Sequence, residues 1–528
     1  MSSSCGVCDR LDQAESSKMA EKESNVVRTG TGASEANSHP YIEGVTIPRP
    51  DGFIYKGFKL FPGTKQIWYA SPKAQLLMVS FVCFLCPGLY NALGGLGGSG
   101  QLNPHVQANA STALYAVFAV VGFFSGSFAN KLGIRITLAI GGFGYSLYSA
   151  SFLAYNHTRN EGFVTFAGAL LGLCGGLLWT AQGAIMMAYP LEKSKGRYIS
   201  VFWIIFNAGG VLGALIVLVQ NLNNSSGTVT DGTYIAFIVL MFAGAVLALT
   251  LVNADKIIRE DGSKVIIMKE PTWQSEFYGL WECIRLQPWV VLLFPMFFAS
   301  NIFYTYQQNG VNGAHFNLQA RSLNSLLYWL AQIIGAIVYG TALDYSGIRR
   351  SVRAKIALVT LIILTFVIWG GGYAFEKDQP PRSVTIQPGY ESQKIAYTEL
   401  RYVGPAFLYI FYGFYDACWQ ASIYWWIGAL SNSGRKTANM AGFYKGIQSG
   451  GAAVFWALDG QGVSYRTLYA ATFAVCAASI FIAAPVIWLR ITDTTDLEED
   501  LKFSDETIQE VAPTAVLQEK RAAIENPV

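Results

Sequence analysis

The chain has 528 residues, of which 52% are hydrophobic, 14% aromatic and only 13% charged, with 53 glycines. A soluble surface carries about a quarter charged residues, so a string of water-soluble domains is excluded. Uncharged apolar runs recur instead, each long enough to cross a hydrocarbon core of about 30 Å as a helix, while the net charge of +3 excludes nothing until its placement is known.

Residues 1–72 are polar, rich in Ser, Glu, Gly and Pro, and have no apolar core of signal-peptide type. They read as a largely disordered cytosolic tail. Cys5 and Cys8 form a lone Cys-x-x-Cys without the second pair a zinc site needs, so they read as two thiols in that tail. Between Tyr55 and Tyr69, aromatics alternate with Lys56, Lys59 and Lys65, which predicts a segment on the membrane face.

Apolar runs then follow at roughly 75–97, 111–129, 134–154, 162–188, 198–220 and 232–252. A second set occupies roughly 288–308, 322–343, 354–375, 402–428, 439–458 and 467–489. The expected fold is an all-α polytopic membrane protein with twelve transmembrane helices in two six-helix pseudo-symmetric halves, 73–252 and 288–490. The linker 253–287 places Trp273, Phe277, Leu280, Trp281 and Ile284 on one helical face, which predicts an interfacial helix. Residues 491–528 form an acidic cytosolic tail with Asp493, Asp496, Glu498, Glu499 and Asp500.

Loop charge orients this plan. With the amino terminus inside, the even-numbered loops hold sixteen Lys and Arg and the opposite loops seven, which obeys the positive-inside rule. Both termini are then cytosolic, in the plasma membrane or an endomembrane. The Asn-x-Ser/Thr sequons at Asn109, Asn156, Asn223 and Asn224 all fall in loops placed outside. Their use as N-glycosylation sites requires a eukaryotic secretory route.

Two short basic loops match each other 214 positions apart. One is Gly126, Asn130, Lys131, Gly133 and Arg135; the other is Gly340, Asp344, Gly347, Arg349 and Arg350. Each joins the second and third runs of its half, which implies an internal duplication. Asp344 ends its helix, where the negative helix dipole cannot stabilise a carboxylate. It therefore needs Arg349, Arg350 or Arg353 as partner, and the cluster reads as a latch that opens when the halves rock. Bare topogenic charge is the plainer reading of a single copy.

Ionisable residues inside spans are costly and mark function. The scan finds one acid near mid-depth, Asp416, and one base, Lys445. Tyr412, Asp416 and Gln420 follow at i, i+4 and i+8, and Lys445 and Gln448 share a face of the next run. Gln182, Asn207 and Gln332 complete a polar set, with Gln307, Gln308 and Asn309 at an outer span end. By helical rise Asp416 lies roughly 18 Å and Lys445 roughly 9 Å from the cytosolic boundary. Asp416 is open to three roles: proton coupling, pairing with Lys445, or lining a hydrated cavity.

Glycines four apart, as in Gly442, Gly446 and Gly450, predict close helix approach. The run from Gly94 to Gly100 follows a helix, lacks the lysine of a phosphate loop, and reads as a flexible exit from the first span. No hydrolase or zinc-protease motif occurs, and the four histidines lie outside the spans. The chain therefore reads as a non-enzyme without metal or cofactor, and its dispersed basic residues exclude nucleic acid.

The paired loops resemble the signature of major facilitator transporters, with Asn130 where the first copy has an acid. Four further segments are similar to the fungal branch of the Unc-93-like family: Tyr90 to Gly97, Leu178-Trp179-Thr180-Ala181-Gln182-Gly183, Arg197 to Phe206, and Gly442 to Gly446. The resemblance covers about residues 70–490. It implies alternating access of a small solute, with or without proton coupling, around a central cavity. Fungal members are mostly described as transporters. Animal members are regarded as channel regulators or trafficking partners, so a membrane-protein partner is the alternative expectation.

Overall fold

Two large hydrophobic cores organise the described residues, one built from residues 68–257 and one from residues 290–491, with Leu318 crossing into the first and a small third cluster of Ala108, Ala452 and Trp456 between the halves. The computed structural model describes residues 52–59, 66–101, 103–122, 124–190, 195–222, 227–259, 273–430 and 434–493. Cys5, Cys8, Asn223, Asn224 and the acidic tail beyond 493 lie outside the described residues.

The helices in chain order are α1 (Pro72–Gly95), α2 (Pro104–Val121), α3 (Ser125–Leu132), α4 (Ile134–Thr158), α5 (Glu161–Ala188), α6 (Lys195–Asn221) and α7 (Asp231–Leu249). Then come α8 (Trp273–Leu286), α9 (Pro288–Gly313), α10 (Leu318–Leu343), α11 (Arg350–Glu376), α12 (Val403–Leu430), α13 (Gly434–Gly460) and α14 (Tyr465–Arg490). Among the described residues, extended pairing is confined to two isolated bridges. Nine helical stretches among the described residues, in α1, α4 to α7, α9 to α11 and α14, are long and apolar enough to cross a membrane. The expectation of twelve therefore depends on α2, α12 and α13, which pack among them.

Proline shapes several of these helices. Pro87 cannot donate a backbone hydrogen bond, and α1 widens into a π turn at Phe84–Gly88. Asn103 caps α2 by accepting from the His105 N–H, with Pro104 in the first turn. That start signal sets α2 earlier than the expected 111–129. The run also breaks after Val121, and α3 is a separate short helix.

The packing is pseudo-symmetric. The second helix of the first core, α2, runs against α13, the fifth of the second; α6, the fifth of the first, runs against α10, the second of the other. Gly413 makes the α10–α12 contact possible, because a Cβ there would strike the Tyr328 carbonyl. The expected glycine face of α13 is displaced: Gly442 and Gly450 face open space, and Gly451 is the one pressed against the Phe298 backbone.

Three further expectations are corrected. The described part of 1–72 is folded, with Trp68 and Ala70 in the first core. Tyr55 donates to the Lys256 carbonyl at 3.0 Å and Ile258 N–H to the Ala70 carbonyl at 3.1 Å, so the segment docks on protein. Two sequons are helical: Asn109 lies in the second turn of α2, and Asn156 lies near the end of α4. The Asn156 amide donates to Asp231 and accepts from Gln101, both at 2.8 Å. In α8, Ile284 packs on the second core and Trp281 is exposed, while the side chains of Trp273, Phe277 and Leu280 lie outside the described residues.

Candidate functional site

Asp416 is fully buried on α12, and four donors converge on it. Its Oδ2 accepts from the Tyr304 hydroxyl at 2.6 Å, the Tyr328 hydroxyl at 3.1 Å and the Gln332 amide. Its Oδ1 accepts from Gln420 Nε2 at 3.3 Å. A buried carboxylate is tolerated only when its lone pairs are met in this way. Tyr328 and Gln332 are i and i+4 on α10, and Asp416 and Gln420 are i and i+4 on α12. The Gly413 contact draws those two faces together.

The network continues from Gln420. Its Oε1 accepts from the Tyr444 hydroxyl and from Gln448 Nε2, and Gln448 Oε1 accepts from Lys445 Nζ at 3.1 Å. Gln448 Nε2 also reaches Asn301 Oδ1 at 3.0 Å. The Lys445 ammonium sits over the rings of Tyr444, Tyr424 and Trp179 at 5.1, 5.5 and 5.9 Å. Such aromatic faces hold a cation electrostatically. Trp179 belongs to α5, so this box joins the two cores.

Asp416 and Lys445 thus form no direct ion pair; Gln420 and Gln448 relay between them. Of the predicted set, Gln332, Asp416, Gln420, Lys445 and Gln448 come together. Tyr412 does not: its ring packs on Trp369 at 5.2 Å between α11 and α12, and its hydroxyl has no partner. Gln182 and Asn207 are buried in the first half, and among the described residues no hydrogen bond links either to this network. Tyr304, Tyr328, Tyr444 and Trp179 were missed because tyrosine and tryptophan read as core, and the sequence offered no signal for Asn301. The i, i+4 spacings of Tyr328 to Gln332 and of Tyr444 to Gln448 were there to flag two of them.

The two basic loops hold to their own halves. Arg135 donates from Nε and Nη2 to the Leu249 carbonyl at 3.1 and 2.7 Å, capping α7. Arg350 Nε donates to the Thr492 carbonyl at 2.7 Å, just past α14. The pair is near-symmetric: Arg135 caps the last helix of the first half, and Arg350 holds the backbone two residues beyond the last helix of the second. Asp344 makes no ion pair with Arg349, Arg350 or Arg353 as expected; it accepts from Trp425 Nε1 at 3.2 Å. Arg353 donates to the Leu343 carbonyl at 2.5 Å and lies over the Trp425 ring. Gly133 has φ of 79°, a left-handed turn that favours glycine. Gly347 lies beside the Tyr345 ring, and Gly340 faces open space. Lys131 is exposed, and nothing is described of the Gly126 and Asn130 surroundings.

The far end closes around the glycine run, which is buried rather than a flexible exit. Arg321 Nε donates to the Leu96 carbonyl at 2.7 Å and Nη2 to the Gly97 carbonyl at 2.5 Å. Asn312 Nδ2 reaches the Gly95 carbonyl at 2.8 Å, and the Gly98 N–H donates to Asn309 Oδ1 at 2.8 Å. Left-handed backbone at Gly97, Gly98 and Gly100 turns these groups toward α9 and α10. Asn309 Nδ2 also donates to Asp459, which pairs with Arg382. Arg321, Arg382 and Asp459 are buried charges outside the expected spans: Arg321 and Asp459 lie where α10 and α13 run past the apolar stretches, and Arg382 lies in the connection between α11 and α12.

Residues 75–377 match the family model of the Major Facilitator Superfamily. UNC93-like protein C922.05c of Schizosaccharomyces pombe is 48% identical over 438 residues, spanning 83% of this chain and 86% of its own. UNC93-like protein 1 of Arabidopsis thaliana is 39% identical over 436 residues, spanning 81% and 92%. Among solved structures, a D-xylose-proton symporter superposes with a TM-score of 0.53 at 11% identity, over 80% of this chain and 99% of that one. A peptide transporter POT superposes with a TM-score of 0.54 at 16% identity, over 79% and 95%. These two likenesses speak for the fold alone.

Proposed function

This chain belongs to the UNC93-like family of the major facilitator superfamily, and we propose that it is a secondary transporter moving a small solute by alternating access. One observation carries the reading: a continuous polar network, from buried Tyr328 and Asp416 through half-buried Gln420 to Lys445, lies where the two cores meet. Burying it costs desolvation that a purely structural helix bundle has no need to meet.

The parts have separate roles in this reading. Asp416 exchanges a proton, and its charge reaches Lys445 through Gln420 and Gln448. The Lys445 box closes one side of the site, because Trp179 comes from the opposite half. The Arg321 contacts close the other side and must break for the halves to rock. On the loop-charge bias, the Arg135 and Arg350 face is cytosolic and the Arg321 face is outside. The basic loops stabilise the helix ends of their own halves as those halves turn.

The test is solute flux in proteoliposomes with wild type, Asp416→Asn and Lys445→Met. Both variants should keep their elution profile and lose coupled flux. Wild-type flux in both would remove these residues from the mechanism, and a wild type that moves nothing would sink the transporter reading.

A second reading, a regulatory or trafficking partner of another membrane protein, is favoured by how closed the site is and by Asn130 in place of an acid. It requires a membrane protein that co-purifies stoichiometrically and is mislocalised on deletion without any change in solute flux.

A further inference from the structure

A small cavity lies between the two cores, on the far-end side of the Asp416 network. Its walls are the rings of Tyr90 on α1, Tyr115 on α2 and Tyr304 on α9, so both halves contribute. Trp329 of α10 and Trp456 of α13 complete the lining. In this conformation it has room for little more than a water molecule, so a larger solute enters only as the halves part.

Two buried donors beside it are unspent. Trp329 and Trp456 are 3% and 2% exposed, and neither indole N–H has an acceptor. The side-chain amides of Asn91 and Gln308 also line the cavity and make no hydrogen bond among the described residues. Buried donors are rarely left unmet, and two unmet indole N–H groups with two half-buried amides around one cavity point to a ligand that completes them.

The charge pattern narrows the ligand. No charged side chain lines the cavity. The Asp416 carboxylate is already taken by Tyr304, Tyr328, Gln332 and Gln420, and Tyr304 puts its ring rather than that charge toward the space. The Lys445 ammonium is held in its own box. Indole N–H edges repel a cation, and an anion would have no cation to meet.

We propose that this cavity is the ring subsite of the transported solute, and that the solute is a neutral ring compound bearing carbonyl or hydroxyl oxygens. The ring stacks among Tyr90, Tyr115 and Tyr304, and its oxygens accept from the Trp329 and Trp456 indoles and from the amides. The inference rests on the transporter reading, and its test separates the two.

The full chain in lipid nanodiscs is titrated with glucose, inositol and uracil as neutral rings, and with tetraethylammonium and benzoate as charged probes, following Tm. The same probes are offered for exchange in proteoliposomes. At least one neutral ring should raise Tm with saturation, and the charged probes should not. Trp329→Phe and Trp456→Phe keep the ring and remove the N–H, and each should weaken binding about ten-fold. Gln308→Met gives the same readout if a tryptophan variant fails to fold. The proposal is overturned if no neutral ring binds at millimolar concentration, or if binding is indifferent to loss of the donors. Exchange of a charged probe alone would keep transport and discard the ring subsite. Neutral-ring binding without exchange would keep the subsite and discard transport.

Discussion

Arg382 Nη1 and Asp459 Oδ1 meet at 2.6 Å with both side chains almost wholly buried, 5% and 0% exposed. Arg382 also donates to the Val463 and Asp459 carbonyls at 2.9 Å and lies over the Tyr465 ring at 4.7 Å. Asn309 supplies the second donor to the carboxylate at 2.7 Å. Removing one partner of such a pair strands the other charge, at a cost of about 3–5 kcal/mol. Arg382→Gln and Asp459→Asn should each lower Tm sharply, whereas Arg382→Leu with Asp459→Leu should recover most of the loss. Equal destabilisation in the single and double variants would mean the pair is not an isolated buried unit.

Much of the fold was legible because the bilayer dictates helix length and apolarity. Asp416, Gln420, Lys445 and Gln448 were legible for the same reason, since polar groups stand out in apolar runs. What the runs hid lies at helix ends. Arg321 and Asp459 fall where α10 and α13 extend beyond the apolar stretch, so they read as loop charges. Tyr412 and Tyr328 show the converse limit: both tyrosines sit in spans, but only the facing of α10, set by Gly413, brings Tyr328 to Asp416. The arginine partner expected for Asp344 is absent because sequence distance to an arginine is not geometry; Trp425 reaches the carboxylate instead.

The Arg321 clamp gives an access prediction. Its guanidinium donates to Leu96 and Gly97 carbonyls across the boundary between the cores. Arg321→Ala removes those bonds and leaves the glycine run to open. Ser99→Cys, buried in wild type, should react with an impermeant maleimide several-fold faster in the Arg321→Ala background. Arg321→Lys should fall between, since a single ammonium cannot fork to two carbonyls. Equal labelling rates in all three would separate Arg321 from closure.

Gly413 offers a way to move the site without touching its polar atoms. A Cβ at that position would run into the Tyr328 carbonyl, so Gly413→Ala must push α10 from α12 and stretch the Tyr328 and Gln332 bonds to Asp416. Flux should fall at least as far as in Tyr328→Phe, which deletes one of those bonds. Overpacking of this kind also costs about 1–3 kcal/mol. Stability loss with unaltered flux would show that Asp416 does not depend on this helix spacing.

His315 supplies the pH prediction. It follows α9, is 2% exposed, and packs edge-on against Phe375 at 5.6 Å. Both ring nitrogens lack partners. Burial, and secondarily the nearby Lys394, push the imidazole down to about 3. Lys394 is itself paired with Glu391 at 2.8 Å. The unfolded chain takes up a proton near pH 6.5 that the folded chain refuses until about pH 3. Below 6.5 the unfolded state therefore binds more protons, and stability falls as pH falls, by about 1.4 kcal/mol per pH unit from this group. Above 6.5 its contribution is complete. His315→Phe, which suits the Phe316 and Phe375 surroundings, should flatten the decline of Tm between pH 7.5 and 5. Parallel Tm curves for the variant and the wild type would assign that acid sensitivity to another group.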